Sequence, residues 1–140
     1  MSQIYHQLFY HVVWATKYRR AMISEEVERV LFPYLENKAK RFHCVLHGIN
    51  GIGNHVHVAM SIPPSVSISE IVGKLKGSSS YFLNKELQIT EHFDWQDGYG
   101  VLSFSKKDLP KILHYIQEQK AHHQNGELNQ SMERMTEESD

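Results

Sequence analysis

Hydrophobic and polar positions along the chain predict an alternation of strands and helices. Residues Ile4 to Ala15 are rich in aromatic and β-branched types on both alternating faces, which predicts a central strand. A second strand is predicted from Phe42 to Asn50, and the turn Gly51–Asn54 should join it as a hairpin to a third strand that begins at His55. A short strand from Tyr99 to Phe104 follows later.

Three segments between and after these strands have the apolar spacing of amphipathic helices. Ser24, Ser67 and Ser105 are each followed by acidic residues in the first turn, so each is expected to begin a helix. Pro33 lies inside the first pattern and should kink that helix or end its first half. The order β-α-β-β-α-β with a C-terminal helix predicts an α+β, ferredoxin-like (RRM-like) fold with a four-stranded antiparallel sheet.

The third predicted strand carries two histidines with one residue between them. His55 and His57 lie on one face of this strand, whereas Val56, Val58 and Met60 lie on the other. The valine and methionine face suits the core, so we expect both imidazoles on the open face of the sheet. Two imidazoles side by side form half of a metal site. The pair could equally arise by chance, since the chain has 10 histidines.

Composition and charge divide the chain into a body and a tail. The 140 residues suit one domain, residues 1–123, with a net charge of +3, whereas residues 124–140 carry −4 and are expected to form a disordered acidic tail. The weakly basic body is compatible with a phosphate-bearing partner. No membrane-spanning run or signal peptide is visible, which favours the cytoplasm and no membrane partner. Cys44 is expected to be a small buried residue.

The C-terminal helix adds a candidate nucleophile. Tyr115 and Gln119 are four residues apart, so their side chains should be neighbours on one helical face. A phenol can attack a polarised group and form a covalent intermediate, and an amide oxygen is a suitable third ligand for Mg²⁺ or Mn²⁺. The alternative is that Tyr115 simply packs on the sheet.

Five sequence motifs together resemble the single-tyrosine HUH transposases of bacterial insertion sequences and their repeat-associated relatives. The resemblance covers about residues 5 to 123, and its motifs are Tyr10–Arg20, Gly53–Pro64, Leu75–Ser80, Trp95–Gly100 and Tyr115–Gln119. His-x-His or Tyr-x-x-x-Gln alone would be weak evidence, but the combination of motifs in the family's order is highly specific.

The resemblance implies an activity on single-stranded DNA with hairpin ends. His55, His57 and Gln119 would bind one divalent cation, Mg²⁺ or Mn²⁺, that polarises a scissile phosphate. Tyr115 would attack that phosphate, which gives a 5′-phosphotyrosine and a free 3′-hydroxyl for later strand transfer. The family also forms homodimers, and the tyrosine helix of one subunit can complete the active site of the other.

Basic and hydroxyl side chains near two of the motifs are the expected DNA contacts. They are Lys17, Arg19, Arg20, Lys74, Lys76, Ser78 and Ser79. Two positions depart from the family pattern: Asn54 stands where aspartate is frequent, and Tyr81 stands where a basic residue is frequent.

Two alternative functions remain open at this point. One is a non-catalytic nucleic-acid-binding module with RRM-like topology, although such modules read bases with exposed aromatic residues on the sheet, where this chain has histidines. The other is a metal-dependent nuclease in which the ion activates water and Tyr115 is structural.

Overall fold

The computed structural model describes residues 3–87, 91–125 and 129–135. The strands are β1 (Phe9–Ala15), β2 (Val45–Ile52), β3 (His55–Ser61) and β4 (Gly100–Phe104). The helices are α1 (Glu25–Arg41), α2 (Ile68–Glu86), α3 (Leu109–Gln117), α4 (Gln119–Asn125) and α5 (Gln130–Glu133). Short 3₁₀ turns occur at Lys17–Arg19 and Lys106–Asp108.

The four strands form one antiparallel sheet in the order β2-β3-β1-β4. This order and the element sequence confirm the predicted α+β, ferredoxin-like fold. Strands β1 and β3 are central, as the apolar residues on both faces of β1 predicted. Their register pairs Val13 with His57 and His11 with Ala59, which puts His11 and His57 on the same face of the sheet.

Helices α1 and α2 cover the opposite face of the sheet and form the main core with it. The core includes Val12, Trp14, Leu31, Leu35, Val56, Val58, Met60, Ile71 and Leu75. The hydroxyl oxygens of Ser24 and Ser67 accept hydrogen bonds from the backbone N–H of Val27 (3.2 Å) and Glu70 (3.1 Å), which confirms both predicted caps. Of the two outcomes expected at Pro33, an end to the helix does not occur, because α1 continues to Arg41.

The start of α3 differs from the predicted capping box at Ser105. A 3₁₀ turn, Lys106–Asp108, comes first, and α3 begins at Leu109 with Pro110 in its first turn. The Ser105 hydroxyl donates to the Asp108 carboxylate (3.3 Å), so its hydrogen bond is to a side chain and not to a backbone N–H of the helix.

The histidine face of the sheet is covered by the C-terminal helices. Ile112 and Ile116 of α3 pack against Ala59 of β3, and His55 and His57 are only 3% and 0% exposed. The expectation that the two imidazoles stand on an open face is therefore wrong. Apolar side chains of α3 need a surface on which to be buried, and this face of the sheet provides it.

Residues 129–135 also pack on the sheet, although we expected residues 124–140 to form a disordered tail. Met135 is buried against Val13 and Ala15. The Arg134 carbonyl lies so close to Gly100 that a Cβ at position 100 would come within 1.8 Å of its oxygen. Residues 126–128 and 136–140 lie outside the described residues. Among the residues that the structure describes, no helix has the length and apolar character needed to cross a membrane.

Candidate active site and metal centre

His55 and His57 are held in fixed orientations by hydrogen bonds at their Nδ1 atoms. His57 Nδ1 lies 2.8 Å from Nε2 of the buried His11, and His55 Nδ1 lies 2.7 Å from the side-chain oxygen of Asn54. An amide oxygen only accepts hydrogen bonds, so His55 donates from Nδ1. Asn54 thus supplies a side-chain oxygen as the hydrogen-bond acceptor for His55, as an aspartate at this position would. Both rings direct Nε2 away from the strand, as metal-ligating histidines do.

The Nε2 atoms converge on the carboxylate of Glu133, the last residue of α5. Glu133 Oε1 lies 3.1 Å from His55 Nε2, 3.1 Å from His57 Nε2 and 3.4 Å from Nε2 of His123, a residue of α4. The Glu133 side chain is 15% exposed, so this cluster is largely shielded from water. One carboxylate oxygen therefore contacts three imidazoles from two separate elements.

This donor set fits a divalent cation. The potential ligand atoms of His55, His57, His123 and Glu133 all lie within 4.8 Å of one another. Imidazole nitrogens and a carboxylate oxygen are ligands that divalent first-row metals take readily. The structure thus supports a metal-binding cluster at the histidine strand, with two members that the sequence analysis did not select.

Tyr115 lies at the same carboxylate. Its phenol donates a hydrogen bond of 2.5 Å to Glu133 Oε2 and accepts one of 3.0 Å from the backbone N–H of Asn129. Its ring stacks on His122, with ring centroids 4.6 Å apart. Burial, together with the hydrogen bond to Glu133, raises the pKa of Tyr115 to about 12. The phenol is therefore protonated at neutral pH and needs help to lose its proton.

Gln119 is fully buried beside the cluster. Helix α3 ends at Gln117 and α4 begins at Gln119, so the expected single helix is interrupted at Glu118. Gln119 Oε1 nevertheless lies 3.2 Å from His123 Nε2, and Gln119 Nε2 lies 3.5 Å from Glu133 Oε2. The amide borders the same cluster, and Tyr115 and Gln119 are neighbours as predicted.

Burial and mutual contacts shift the ionisation of these groups. Burial opposes ionisation of Glu133, but the contacts with His55 and His57 outweigh it and hold the pKa of this carboxyl far below its usual range. Burial lowers the pKa of His57 and of His123, despite the nearby Glu133 charge. The cluster therefore combines a carboxylate with two imidazoles, those of His57 and His123, that favour the neutral form, which is the form that binds metals.

The candidate DNA contacts at the first 3₁₀ turn are exposed. Lys17, Arg19 and Arg20 all lie on the surface, and Tyr18 and Arg19 have positive φ angles of 57° and 52°. Arg20 forms an ion pair with Glu91 (3.0 Å), and the Lys17 ammonium lies 3.9 Å from Asp94.

The candidates on α2 differ in their surroundings. Lys74 is exposed and Ser78 is half-buried. Ser79 is fully buried, where its hydroxyl oxygen accepts a hydrogen bond of 2.9 Å from Trp95 Nε1. The expectation that Ser79 contacts DNA is thus wrong, because residue 79 lies on the core side of the helix. The Lys76 ammonium donates to the carbonyls of Gln96 (2.7 Å) and Gly98 (2.9 Å), so it stabilises the loop that contains these two residues.

Sequence reasoning missed three residues of the site: His11, His123 and Glu133. His11 could have been found, because a histidine on a central strand needs a polar partner and the antiparallel pairing brings it diagonal to His57. His123 is four residues after Gln119 and shares its helical face. Glu133 lies in a polar, acidic stretch whose pattern indicates only solvent exposure.

Comparisons with known proteins place the chain among transposases. A family model described as "Transposase IS200 like" matches residues 4–119. The chain is 30% identical over 115 residues to the transposase for insertion sequence element IS200 of Salmonella typhimurium. The aligned region covers 79% of this chain and 75% of that protein. The chain is 29% identical over 120 residues to the ISDra2 transposase TnpA of Deinococcus radiodurans, covering 81% and 85% of the two chains.

Two solved structures have the same fold. A crystal structure of a protein described as a transposase of Deinococcus radiodurans R1 matches with a TM-score of 0.67 and 26% identity, over 85% of this chain and 96% of that one. A repeat-associated (REP) tyrosine transposase bound to a REP hairpin matches with a TM-score of 0.62, over 91% and 76% of the two chains. The second pair is only 12% identical, so that likeness concerns the fold alone.

Proposed function

The chain belongs to the IS200-like transposase family, and on that premise we propose that it cuts and rejoins single-stranded DNA through Tyr115. One observation carries this proposal. The two oxygens of the Glu133 carboxylate contact the Tyr115 phenol on one side and the imidazoles of His55 and His57 on the other. One carboxylate group therefore connects the candidate nucleophile to the candidate cation site.

His55, His57 and Gln119 are the proposed ligands of a divalent cation, Mg²⁺ or Mn²⁺. When bound, the cation supplies positive charge where the scissile phosphate gains negative charge. The chain's own residues position the ligands: His11 and Asn54 hold the two imidazoles in place, and α3 and α4 shield the site from water.

Tyr115 Oη is the proposed nucleophile. It forms a bond to phosphorus while the bond from phosphorus to the 3′-oxygen breaks, which leaves a 5′-phosphotyrosine and a free 3′-hydroxyl. A later attack by a 3′-hydroxyl on the phosphotyrosine releases Tyr115 and joins two strands. Because each step exchanges one phosphodiester for another, no external energy source is required.

The proposed substrate is single-stranded DNA with a hairpin at its end. The solved REP-associated tyrosine transposase is described as bound to a REP hairpin, and this chain shares its fold. Basic side chains at and just after the first 3₁₀ turn, with two residues of α2, are the proposed phosphate contacts. They are Lys17, Arg19, Arg20, Lys74 and Ser78.

We further propose that the protein acts as a homodimer in which the tyrosine helix of one subunit can serve the cation site of the other. A mixing experiment tests this. His57→Ala and Tyr115→Phe are each expected to be inactive alone. Activity restored on mixing requires a shared site, whereas two variants that remain inactive together indicate that each chain uses its own Tyr115.

The central test uses a hairpin oligonucleotide labelled at its 3′ end, incubated with Mg²⁺ or Mn²⁺. Attack by Tyr115 leaves the labelled fragment on the protein, so a labelled band that survives a denaturing gel is expected for the wild type and not for Tyr115→Phe. Cleavage that persists in Tyr115→Phe without an adduct would instead identify a nuclease that uses water. Hairpin binding without cleavage in either ion would identify a non-catalytic module.

A further inference from the structure

The C-terminal segment, residues 129–135, brings a carboxylate to the centre of the proposed active site. We propose that Glu133 is a ligand of the cation and also the acceptor of the Tyr115 proton, and that His123 is a further ligand. This inference rests on the proposed function and deepens it. It replaces a minimal site of two histidines and one glutamine with a site that the chain's C-terminal part completes.

The distances around Glu133 suit shared coordination. Its Oε1 atom lies 3.1 to 3.4 Å from the Nε2 atoms of His55, His57 and His123. Adjacent ligands of a first-row cation, each bound at about 2.1 Å, are separated by roughly 3 to 3.5 Å. The three distances from Glu133 to the histidines thus match the separation of adjacent ligands around a common cation.

The number of histidines that contact Glu133 Oε1 also supports a shared cation. A carboxylate oxygen has two lone pairs, yet Glu133 Oε1 faces three imidazole nitrogens. Three N–H groups cannot all donate well to one oxygen. His55 and His57 also have their Nδ1 atoms occupied by Asn54 and His11, so the Nε2 lone pairs of the neutral rings are directed at the cluster. A cation among these atoms would satisfy all of them at once.

The second oxygen of Glu133 has a separate partner. Oε2 accepts the hydrogen bond from the Tyr115 phenol at 2.5 Å. As the bond from Tyr115 Oη to phosphorus forms, the phenolic oxygen loses electron density, so its proton becomes acidic enough to pass to Oε2 although the Glu133 carboxylate is a weak base. The leaving 3′-oxygen takes a proton from water and ends as a hydroxyl, and Glu133 returns its proton to solvent. Atoms and charges balance without a further reactant.

The position of Glu133 is fixed on both sides along the chain. Before it, the Asn129 side chain caps α5 by accepting from the Met132 N–H (3.3 Å), and the Asn129 N–H donates to Tyr115 Oη. After it, Met135 is buried against β1, and the Arg134 carbonyl lies against Gly100. The backbone thus holds this carboxylate in place from two anchors, as a functional side chain requires.

The test measures Mn²⁺ affinity by titration calorimetry and, separately, adduct formation on the 3′-labelled hairpin. The full chain is compared with Glu133→Gln, Glu133→Asp, His123→Ala and the control Glu118→Gln, whose carboxylate is exposed. We expect Glu133→Gln and His123→Ala to weaken Mn²⁺ binding by about tenfold or more. Glu133→Gln should also slow adduct formation at saturating Mn²⁺ by about a hundredfold. Glu133→Asp should retain part of the affinity, and Glu118→Gln all of it.

Each contrary result has a distinct meaning. If wild type forms the adduct and Glu133→Gln binds Mn²⁺ equally well but reacts faster, the carboxylate is a plug that keeps DNA out, and the inference is overturned. Normal adduct formation by Glu133→Gln at saturating Mn²⁺ would remove the proton-acceptor role. Failure of the proposed function looks different, because the wild type itself would then form no Tyr115 adduct. Circular dichroism and thermal melting confirm that each variant is folded.

Discussion

His11 Nε2 lies 2.8 Å from His57 Nδ1, and the two buried rings stack with their centroids 5.0 Å apart. Burial lowers the pKa of His11 to about 3, with a smaller contribution from His57. His11 is therefore neutral at physiological pH and can accept a hydrogen bond at Nε2. In that state His57 donates from Nδ1 and keeps its Nε2 lone pair for the cluster.

We predict that His11→Leu weakens Mn²⁺ binding by about 10- to 100-fold, because His57 loses the acceptor that fixes its tautomer and ring orientation. His11→Gln retains an acceptor oxygen and should lose less. Hairpin binding without metal should not change, since His11 is buried. Titration with Mn²⁺ and fluorescence anisotropy with the hairpin measure the two properties separately. Equal Mn²⁺ affinity in His11→Leu and wild type would contradict the orienting role.

We also predict that the cluster binds Mn²⁺ more tightly than Mg²⁺. Three imidazole nitrogens surround the Glu133 carboxylate, and Mg²⁺ prefers oxygen ligands and retains its waters, whereas Mn²⁺ accepts nitrogen more readily. Direct titration with each ion, followed by adduct formation at equal concentrations, checks this. A site that binds both ions equally, or Mg²⁺ more tightly, would indicate that fewer than three imidazoles are ligands.

The fold was predictable from sequence because its signals are local. Apolar residues on both faces of β1 indicate a central strand, and alternating apolar residues in β3 indicate a strand with one face in the core. Ser24 and Ser67 mark the starts of α1 and α2 by hydrogen bonds to residues three positions later. Such patterns arise within a few residues of chain, so they do not depend on where distant segments pack.

The complete site was less predictable because it depends on contacts between distant segments. His55 and Glu133 are 78 residues apart, and nothing in the polar stretch around Glu133 indicates that it returns to the sheet. Ser79 is a residue for which the local sequence pattern indicates exposure, although the residue is buried. Its neighbours in the run Ser78–Ser80 indicate a polar face, whereas its actual position is decided by Trp95, which lies 16 residues away in sequence.

Ser79→Ala is predicted to destabilise the fold rather than to weaken DNA binding directly. The substitution leaves the buried Trp95 Nε1–H without the acceptor it has in the structure, and such a loss costs about 1 to 3 kcal/mol. Urea unfolding measures the change in the free energy of unfolding. Ser80→Ala is the matched control, since the Ser80 hydroxyl donates to the Gly77 carbonyl of its own helix and, among the described residues, to no other group. Similar losses for the two variants would refute the specific role of Ser79.

Cys44 should make stability depend on pH in the alkaline range. Burial raises the pKa of Cys44 from 9.0 to about 11. Between these values the unfolded chain releases the thiol proton and the folded chain retains it, so rising pH favours unfolding. At pH 10 the wild type should therefore have lost about 1 kcal/mol more stability, relative to pH 7, than Cys44→Ala. Parallel urea titrations at the two pH values measure this difference, and identical pH dependence in both proteins would show that the thiol is not buried in solution.

Lys74 and Lys76 lie two residues apart on α2 but are predicted to have different roles. Lys74 is exposed, so Lys74→Ala should weaken hairpin binding and reduce the slope of log affinity against log salt by about one unit, with no change in melting temperature. The half-buried Lys76 donates to the carbonyls of Gln96 and Gly98. Lys76→Met should therefore lower the melting temperature by a few degrees, because two carbonyls lose a charged donor. Anisotropy at several salt concentrations and thermal melts of both variants provide the comparison; a salt slope reduced equally in both would mean that Lys76 also contacts phosphate.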